Sequence, residues 1–341
     1  MVARLGILAL LSLLQIAFAS RTFSCGVDST CADAFRRVQR LLSDDQFRRA
    51  EALCDSVITS RPNCSGGYVF KAAVQIAEMT DREQDVFGDS FTALLDSIEI
   101  LIESQPEPPG ARAEAWMQLC RGHVRAYRAL YESRFGSFVK AVKQGMRARA
   151  AYEDGLRADS TLYDLYLGLG SYHYWKSAKA GILRWLLLFK DERDKGIAEL
   201  NLAADSAQLF REAARSALIW VWLNEKQYDS AAAIASEFAA RYPNGKSFLW
   251  PLAEAYLKSK RYVDALTVYE DLRNRLEPDP GNYYNLIEVD SRIARCYEEL
   301  RRIDDAAAAG KRTRTYLDDI PSSTRQRQRS NLKYLKRLAR L

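Results

Sequence analysis

The chain has 341 residues, enough for two ordinary domains or one solenoid. Ala, Leu, Arg and Glu dominate, Pro and Gly number only 9 and 17, and no segment alternates in the manner of a strand; this excludes a β-rich fold and predicts an all-α one. The net charge of +6 sits in residues 322–341, which hold seven basic side chains and no acid, while the other residues sum to −1; a general nucleic-acid footprint is therefore excluded.

Residues 1–19 carry the pattern of an export signal: Arg4 at the positive end, the apolar stretch Leu5–Phe18, and Ala17-Phe18-Ala19 as a small-x-small cleavage site. That stretch, interrupted by Ser12 and Gln15, is short for a bilayer span. The expectation is a protein exported to the periplasm or another part of the cell envelope, with its mature start at Ser20. Disulfides persist outside the cytosol. Cys25, Cys31, Cys54 and Cys64 cluster near the start, and Cys31–Cys54 with Cys25–Cys64 is the preferred pairing; the two other connectivities stay open. Cys120 and Cys296 stand alone at helix-crossing positions and read as buried small residues. No Cys-x2-Cys spacing exists and the two histidines lie 50 residues apart, so neither a metal nor a cofactor is expected.

Residues 20–105 read as degenerate N-terminal hairpins bearing the disulfides, with Ala50, Cys54, Val57 and Pro62 at second-helix spacing. Phe87-Gly88-Asp89-Ser90 resembles the nucleophile block of GDSL-type hydrolases. That family needs a late Asp-x-x-His, whereas Cys120 and Gly170 stand three residues before the two histidines. Asp89 or Ser90 is instead expected to cap a helix running to about Ser104. Gln105–Gly110 is a clear break. Residues 111–320 then predict a solenoid. Trp116 and Leu119 open one hairpin, Ala148, Tyr152, Gly155 and Leu156 continue it, and Tyr166, Leu169 and Gly170 open the next. His173 reads as a packed helix residue. The next second-helix signature, Gly196-x3-Leu200-x2-Ala203, arrives 14 residues late, so residues 176–195 form an insertion. Its apolar centre contains Leu183, Trp185, Leu186 and Phe189. Either it plugs a gap in the solenoid or it touches a partner or membrane.

Residues 212–245 and 246–279 repeat at a spacing of 34. Leu218 falls on Leu252, Ile219 on Ala253, Trp222 on Tyr256, Tyr228 on Tyr262 and Ala231 on Ala265. A further copy at Ile293, Ala294, Tyr297 and Ala306 is delayed by seven residues, which are expected in the Glu277–Tyr284 loop. This pattern resembles the tetratricopeptide repeat, W-x2-L-G-x2-Y…Y-x2-A-x3-F…P over 34 residues. The insertion is similar to that of bacterial exported tetratricopeptide proteins and, more distantly, to the eukaryotic inclusion-body-clearance type. The resemblance implies an all-α, tetratricopeptide-like solenoid of about seven to nine stacked antiparallel helical hairpins, an interaction role and no enzymatic activity. It implies that the first helix of each hairpin lines a concave groove. At the groove positions of that family stand Tyr174, Trp175, Trp220, Asn224, Trp250, Glu254 and Lys258, which are expected to hold a protein or peptide partner. Alternatively, these aromatics pack against the insertion. The family's chaperone-tail clamp wants Lys and Asn where this chain has Ser216/Trp220 and Trp250/Glu254, so that ligand is not supported. No Walker loop, dinucleotide loop, H-E-x-x-H or Gly-x-Ser-x-Gly is present; the enzymatic alternative is a carboxylate pair, which leaves no short motif.

Pro321 ends the solenoid. In residues 322–341, Leu332, Leu335, Leu338 and Leu341 recur every three residues among Lys333, Lys336, Arg337 and Arg340, which predicts a basic amphipathic helix. Either its leucines cap the last hairpin, or the basic face makes a peripheral membrane contact. The two are compatible.

Overall fold

The computed structural model describes residues 29–179, 190–279 and 281–340. They form sixteen α-helices and one 3-10 turn, with no strand among them. The helices are α1 (Ser29–Ser43), α2 (Phe47–Ser60), α3 (Ser65–Arg82), α4 (Gly88–Glu103), α5 (Ala111–Phe135), α6 (Phe138–Ala158), α7 (Leu165–Ala178), α8 (Arg193–Ser206), α9 (Arg211–Asn224), α10 (Tyr228–Arg241), α11 (Leu249–Lys258), α12 (Tyr262–Leu276), α13 (Tyr283–Glu299), α14 (Ile303–Arg312), α15 (Ser322–Arg327) and α16 (Arg329–Leu338). They pack in consecutive pairs. The expected all-α solenoid of antiparallel hairpins is thus formed: the described residues make seven hairpins, followed by α15 and α16.

The repeat is written in the backbone as well as in the side chains. Asp45, Lys226, Lys260 and Arg301 each end a first helix with φ between 55° and 63°. In each case the next amide donates 2.8 Å to a carbonyl five residues back, as in Gln227 to Trp222 and Arg261 to Tyr256. This is the helix stop that glycine usually serves; a side chain there costs about 1 kcal/mol. Lys226 and Lys260 are 34 apart, and Arg301 comes seven residues late. Those seven residues are helical, not loop as expected. The α12–α13 connection is no longer than that between α10 and α11, whereas α13 has 17 residues against 10 in α11. The added turns place Asn285 in the first turn of α13 and Asp290 near its middle.

One hairpin is drawn exceptionally close. A Cβ on Gly170 would stand 2.8 Å from the Gly196 carbonyl oxygen, and one on Gly196 would stand 2.6 Å from the Tyr174 nitrogen. So α7 and α8 pair backbone to backbone across the insertion, whose central residues 180–189 lie outside those described. At the C-terminus Leu332, Leu335 and Leu338 are buried in the core formed with α13 and α14, so α16 caps the last hairpin. Asp290 anchors that region. It is fully buried, accepts from Arg273 Nε at 2.9 Å and from the Tyr316 hydroxyl at 2.8 Å. Burial raises its pKa against the pull of Arg273.

The solenoid also meets itself edge to edge. The Asn244 amide and Nδ2 donate to Asp44 at 2.9 and 2.8 Å, and the Lys246 amide and Nζ donate to Asp45 at 2.8 and 2.7 Å. Lys246 Nζ is also 3.4 Å from Asp81. Asn285 donates to the Asp81 carbonyl at 2.6 Å, Arg82 pairs with Asp279 at 3.3 Å, and Arg327 pairs with Glu83. A Cβ on Gly245 would stand 2.2 Å from the Ser43 carbonyl oxygen, so only glycine lets the edges meet there. Most of these partners are close to 200 residues apart, about six repeats. Burial, with Asp45 beside it, pushes the Asp81 carboxyl up to about 6.

Two local expectations are corrected. Cys54 is a free thiol in the core, and its burial pushes the pKa up to about 12, so the Cys31–Cys54 bridge is not formed. Arg61 Nη1 instead donates to Cys31 Sγ at 3.2 Å. Cys25, the expected partner of Cys64, lies outside the described residues. Nor do Asp89 or Ser90 cap α4. The Asp85 carboxylate accepts the Gly88 amide at 2.9 Å, and the Ser90 hydroxyl donates to the Phe87 carbonyl at 2.6 Å.

Candidate interaction surface

The first helices of the N-terminal hairpins do not line an open groove. Phe35 of α1 and Phe70 of α3 stack with ring centroids 4.2 Å apart. Phe210, in the turn between α8 and α9, stacks on Phe70 at 5.7 Å and on His123 of α5 at 4.8 Å. That turn is held by Asp164, a buried carboxylate that accepts the amides of Gln208, Leu209 and Phe210 at 3.1, 2.7 and 2.9 Å. The aromatic column fills the face. His123 is buried and donates from Nδ1 to the Leu119 carbonyl at 3.0 Å; burial pushes its pKa down to about 4, so the ring is neutral. His173 bonds Glu199 at 2.6 Å within the α7–α8 hairpin. Among the described residues no group of three His, Cys, Asp or Glu side chains could hold a metal ion.

The C-terminal hairpins differ. Trp220 of α9 is 45% exposed. One repeat on, Lys258 of α11 is exposed and lines an open cavity of about 510 Å³ with Lys260, Tyr262, Arg295, Glu299 and Tyr334. Arg295 stands over the Tyr334 ring at 5.2 Å, and the Tyr334 hydroxyl donates to Glu298 at 2.5 Å. Arg292 and Glu298 complete the charged lining, so four cations and two carboxylates face this cavity and its field is positive.

The expected partner-binding residues divide accordingly. Trp220 and Lys258 are presented to solvent. Tyr174 is fully buried, a correction: its hydroxyl donates to Glu225 at 2.9 Å and accepts from Asn224 Nδ2 at 2.7 Å. The close α7–α8 pairing turns this ring into the core of the neighbouring hairpin. Asn224, though solvent-exposed, spends its amide on Tyr174. Trp175 is partly buried, edge-on to Tyr174 at 5.0 Å, and Trp250 is partly buried, edge-on to Tyr269 at 6.5 Å. Glu254 serves the inside. It accepts the Tyr269 hydroxyl at 3.1 Å and pairs with Arg292 at 3.1 Å. Leu183, Trp185, Leu186 and Phe189 lie outside the described residues. Lys333, Lys336 and Arg337 of α16, and Arg340 just beyond it, are exposed to solvent.

Arg295, Glu299 and Tyr334 were not among the expected residues. A signal for two of them existed: Glu254 and Lys258, carried forward by 34 plus the seven-residue delay, give Arg295 and Glu299. Among the described residues no helix is long and apolar enough to cross a membrane.

No protein-family model matches the chain, and no curated protein matches it. Among solved structures it is similar to the C-terminal part of a TPR repeat-containing protein from Cytophaga hutchinsonii, at 18% identity over 85% of this chain and 97% of that one, with a TM-score of 0.44. The stacked hairpins, with their recurrent left-handed turn residue, themselves establish a helical solenoid of tetratricopeptide-like form.

Proposed function

We propose that this chain is an exported scaffold of the cell envelope that holds a peptide or partner helix against the first-helix face of its C-terminal hairpins. The observation that carries the reading is Trp220, a large indole left 45% exposed one repeat before the basic cavity at Lys258 and Arg295. An exposed aromatic anchor followed one repeat later by a charged pocket offers a bound segment both an apolar and an electrostatic contact. The partner this chemistry suits is a segment with an apolar side chain for Trp220 and acidic side chains for Lys258, Lys260 and Arg295. The reading is of a binding protein without catalysis: the described polar clusters are spent on internal pairs such as Glu254–Arg292 and Asp290–Arg273.

The test is crosslinking capture from envelope extract with the intact chain, Trp220→Ala and Arg295→Glu, followed by titration of the captured partner against each. Both variants should keep full helicity and lose at least about tenfold in affinity. A partner held equally by all three proteins overturns this surface. Export is tested separately by fractionation and N-terminal sequencing, with Ser20 expected as the first residue.

A further inference from the structure

We propose that the outward face of α6 docks on an anionic lipid surface, independently of the partner-binding face. Phe138, Val139, Val142 and Met146 are 75%, 75%, 47% and 58% exposed. Ten large apolar side chains are exposed among the described residues, and four of them crowd this one stretch of helix while the others are spread over the molecule. Single exposed apolar residues need no explanation; a contiguous set does.

The helix is divided into three. At 3.6 residues per turn, Phe138, Val142, Met146 and Val139 span an arc of roughly 100°. Exposed Lys143, Arg147 and Lys140 occupy the next arc of roughly 60°. Buried Ala141, Ala148 and Ala151 form the third, against the neighbouring helices. Between Glu132 and Glu153 the chain has five basic residues and no acid. The nearest carboxylate to Lys140 is Glu132, at 3.8 Å, a weak pair whose lysine is 71% exposed.

Because α6 is the second helix of its hairpin, it lies on the convex side, away from the face that Phe210 fills. An outward helix with adjoining apolar and basic arcs is the form that lies in the headgroup boundary of a bilayer, apolar arc down and cations against the lipid phosphates. A peptide, by contrast, needs flanking walls, and one convex helix offers none. The antiparallel pairing of α6 and α7, with Gly155 against Leu165 and Gly145 against Tyr172, brings Lys179 to the Phe138 end.

The experiment is vesicle flotation of the full chain with phosphatidylcholine alone and with phosphatidylglycerol mixed in. Two α6 variants, Phe138→Ser/Val142→Ser and Lys140→Glu/Lys143→Glu, are compared with Lys333→Glu/Lys336→Glu on α16. All six positions are exposed, so folding is expected to survive, and circular dichroism checks it. The wild type should float only with anionic vesicles, each α6 variant should lose at least about tenfold in bound fraction, and the α16 variant should stay within about twofold. No flotation of the wild type, equal flotation of the α6 variants, or a loss confined to the α16 variant overturns the proposal. A wild-type dimer that the α6 variants dissolve also overturns it, by assigning the face to self-association.

Discussion

The two halves of this solenoid use the first helices of their hairpins in different ways. In the N-terminal half, the first helices point Phe35, Phe70, Trp116 and His123 at one another, and Phe210 closes the gap from a turn further along the chain. In the C-terminal half, the first helices present Trp220, Lys258 and Arg295 to solvent. The lesson is that hairpin stacking fixes where a groove could be, while a single turn decides whether there is one. A bulky ring held by three amide bonds to a buried carboxylate converts a binding face into core.

The sharpest way to break the contrast is Phe210→Ala. Removing a buried phenyl that touches rings on two helices should cost about 3–5 kcal/mol of stability. Denaturant unfolding would measure it. Partner binding at the Trp220 face should be unchanged once the variant is folded, and an equal loss at both ends would show the halves to be one surface.

A smaller effect comes from His123. Its ring is kept neutral by burial, with a pKa near 4 in the folded chain against about 6.5 when unfolded. The stability due to excluding the proton is complete above pH 6.5 and drains away as pH falls toward 4. Asp81 works in the other sense: its carboxyl, raised to about 6, favours folding as it protonates between pH 6 and 4. Comparing wild type with His123→Phe isolates the first effect. Between pH 7 and pH 5 the wild type should lose about 2 kcal/mol more than the variant. Parallel curves would place His123 in a solvated site, in conflict with the packed column.

The smallest change sharpens the other half. Lys226 holds φ at 61° to stop α9. Lys226→Gly should stabilise by about 1 kcal/mol, seen as slower amide exchange in α9 and α10 with no change around Phe210. Destabilisation would mean that the lysine side chain contributes more than its backbone strain takes away.

The helical hairpins were legible because their signals are local. Leu218/Leu252 and Ala231/Ala265 repeat within one window, and the left-handed turn residues Lys226 and Lys260 keep the same spacing. The filling of the N-terminal face was not legible. Phe210 belongs to a four-residue turn with no period of its own, and Phe70, which it meets, is 140 positions earlier. Tyr174 was assigned to the groove by counting along a regular hairpin, yet Gly170 and Gly196 let the α7–α8 pair collapse to backbone contact and redirect the ring. Arg295 and Glu299 were hidden by seven extra residues that form helix rather than loop. Their phase could be recovered from Glu254 and Lys258, but Tyr334, on the cap, follows no repeat.

The edge-to-edge meeting of Asp44, Asp45 and Asp81 with Asn244, Lys246 and Asn285 bears on how the chain acquires its structure. Repeat proteins ordinarily fold from neighbour to neighbour, with low contact order and tolerance to trimming at either end. Here the first hairpins present the Asp44, Asp45 and Asp81 carboxylates, and the Asp81 carbonyl, to partners synthesised 165 to 204 residues later. Until residue 246 has emerged, Asp45 and Asp81 lack their lysine, and Asp44 has the Gln46 amide but not Asn244. Closing the seam is therefore a late, non-local event that ties the first repeats to the last. Shortening the array from either end should loosen the opposite end, so that the whole melts as one cooperative unit rather than fraying repeat by repeat.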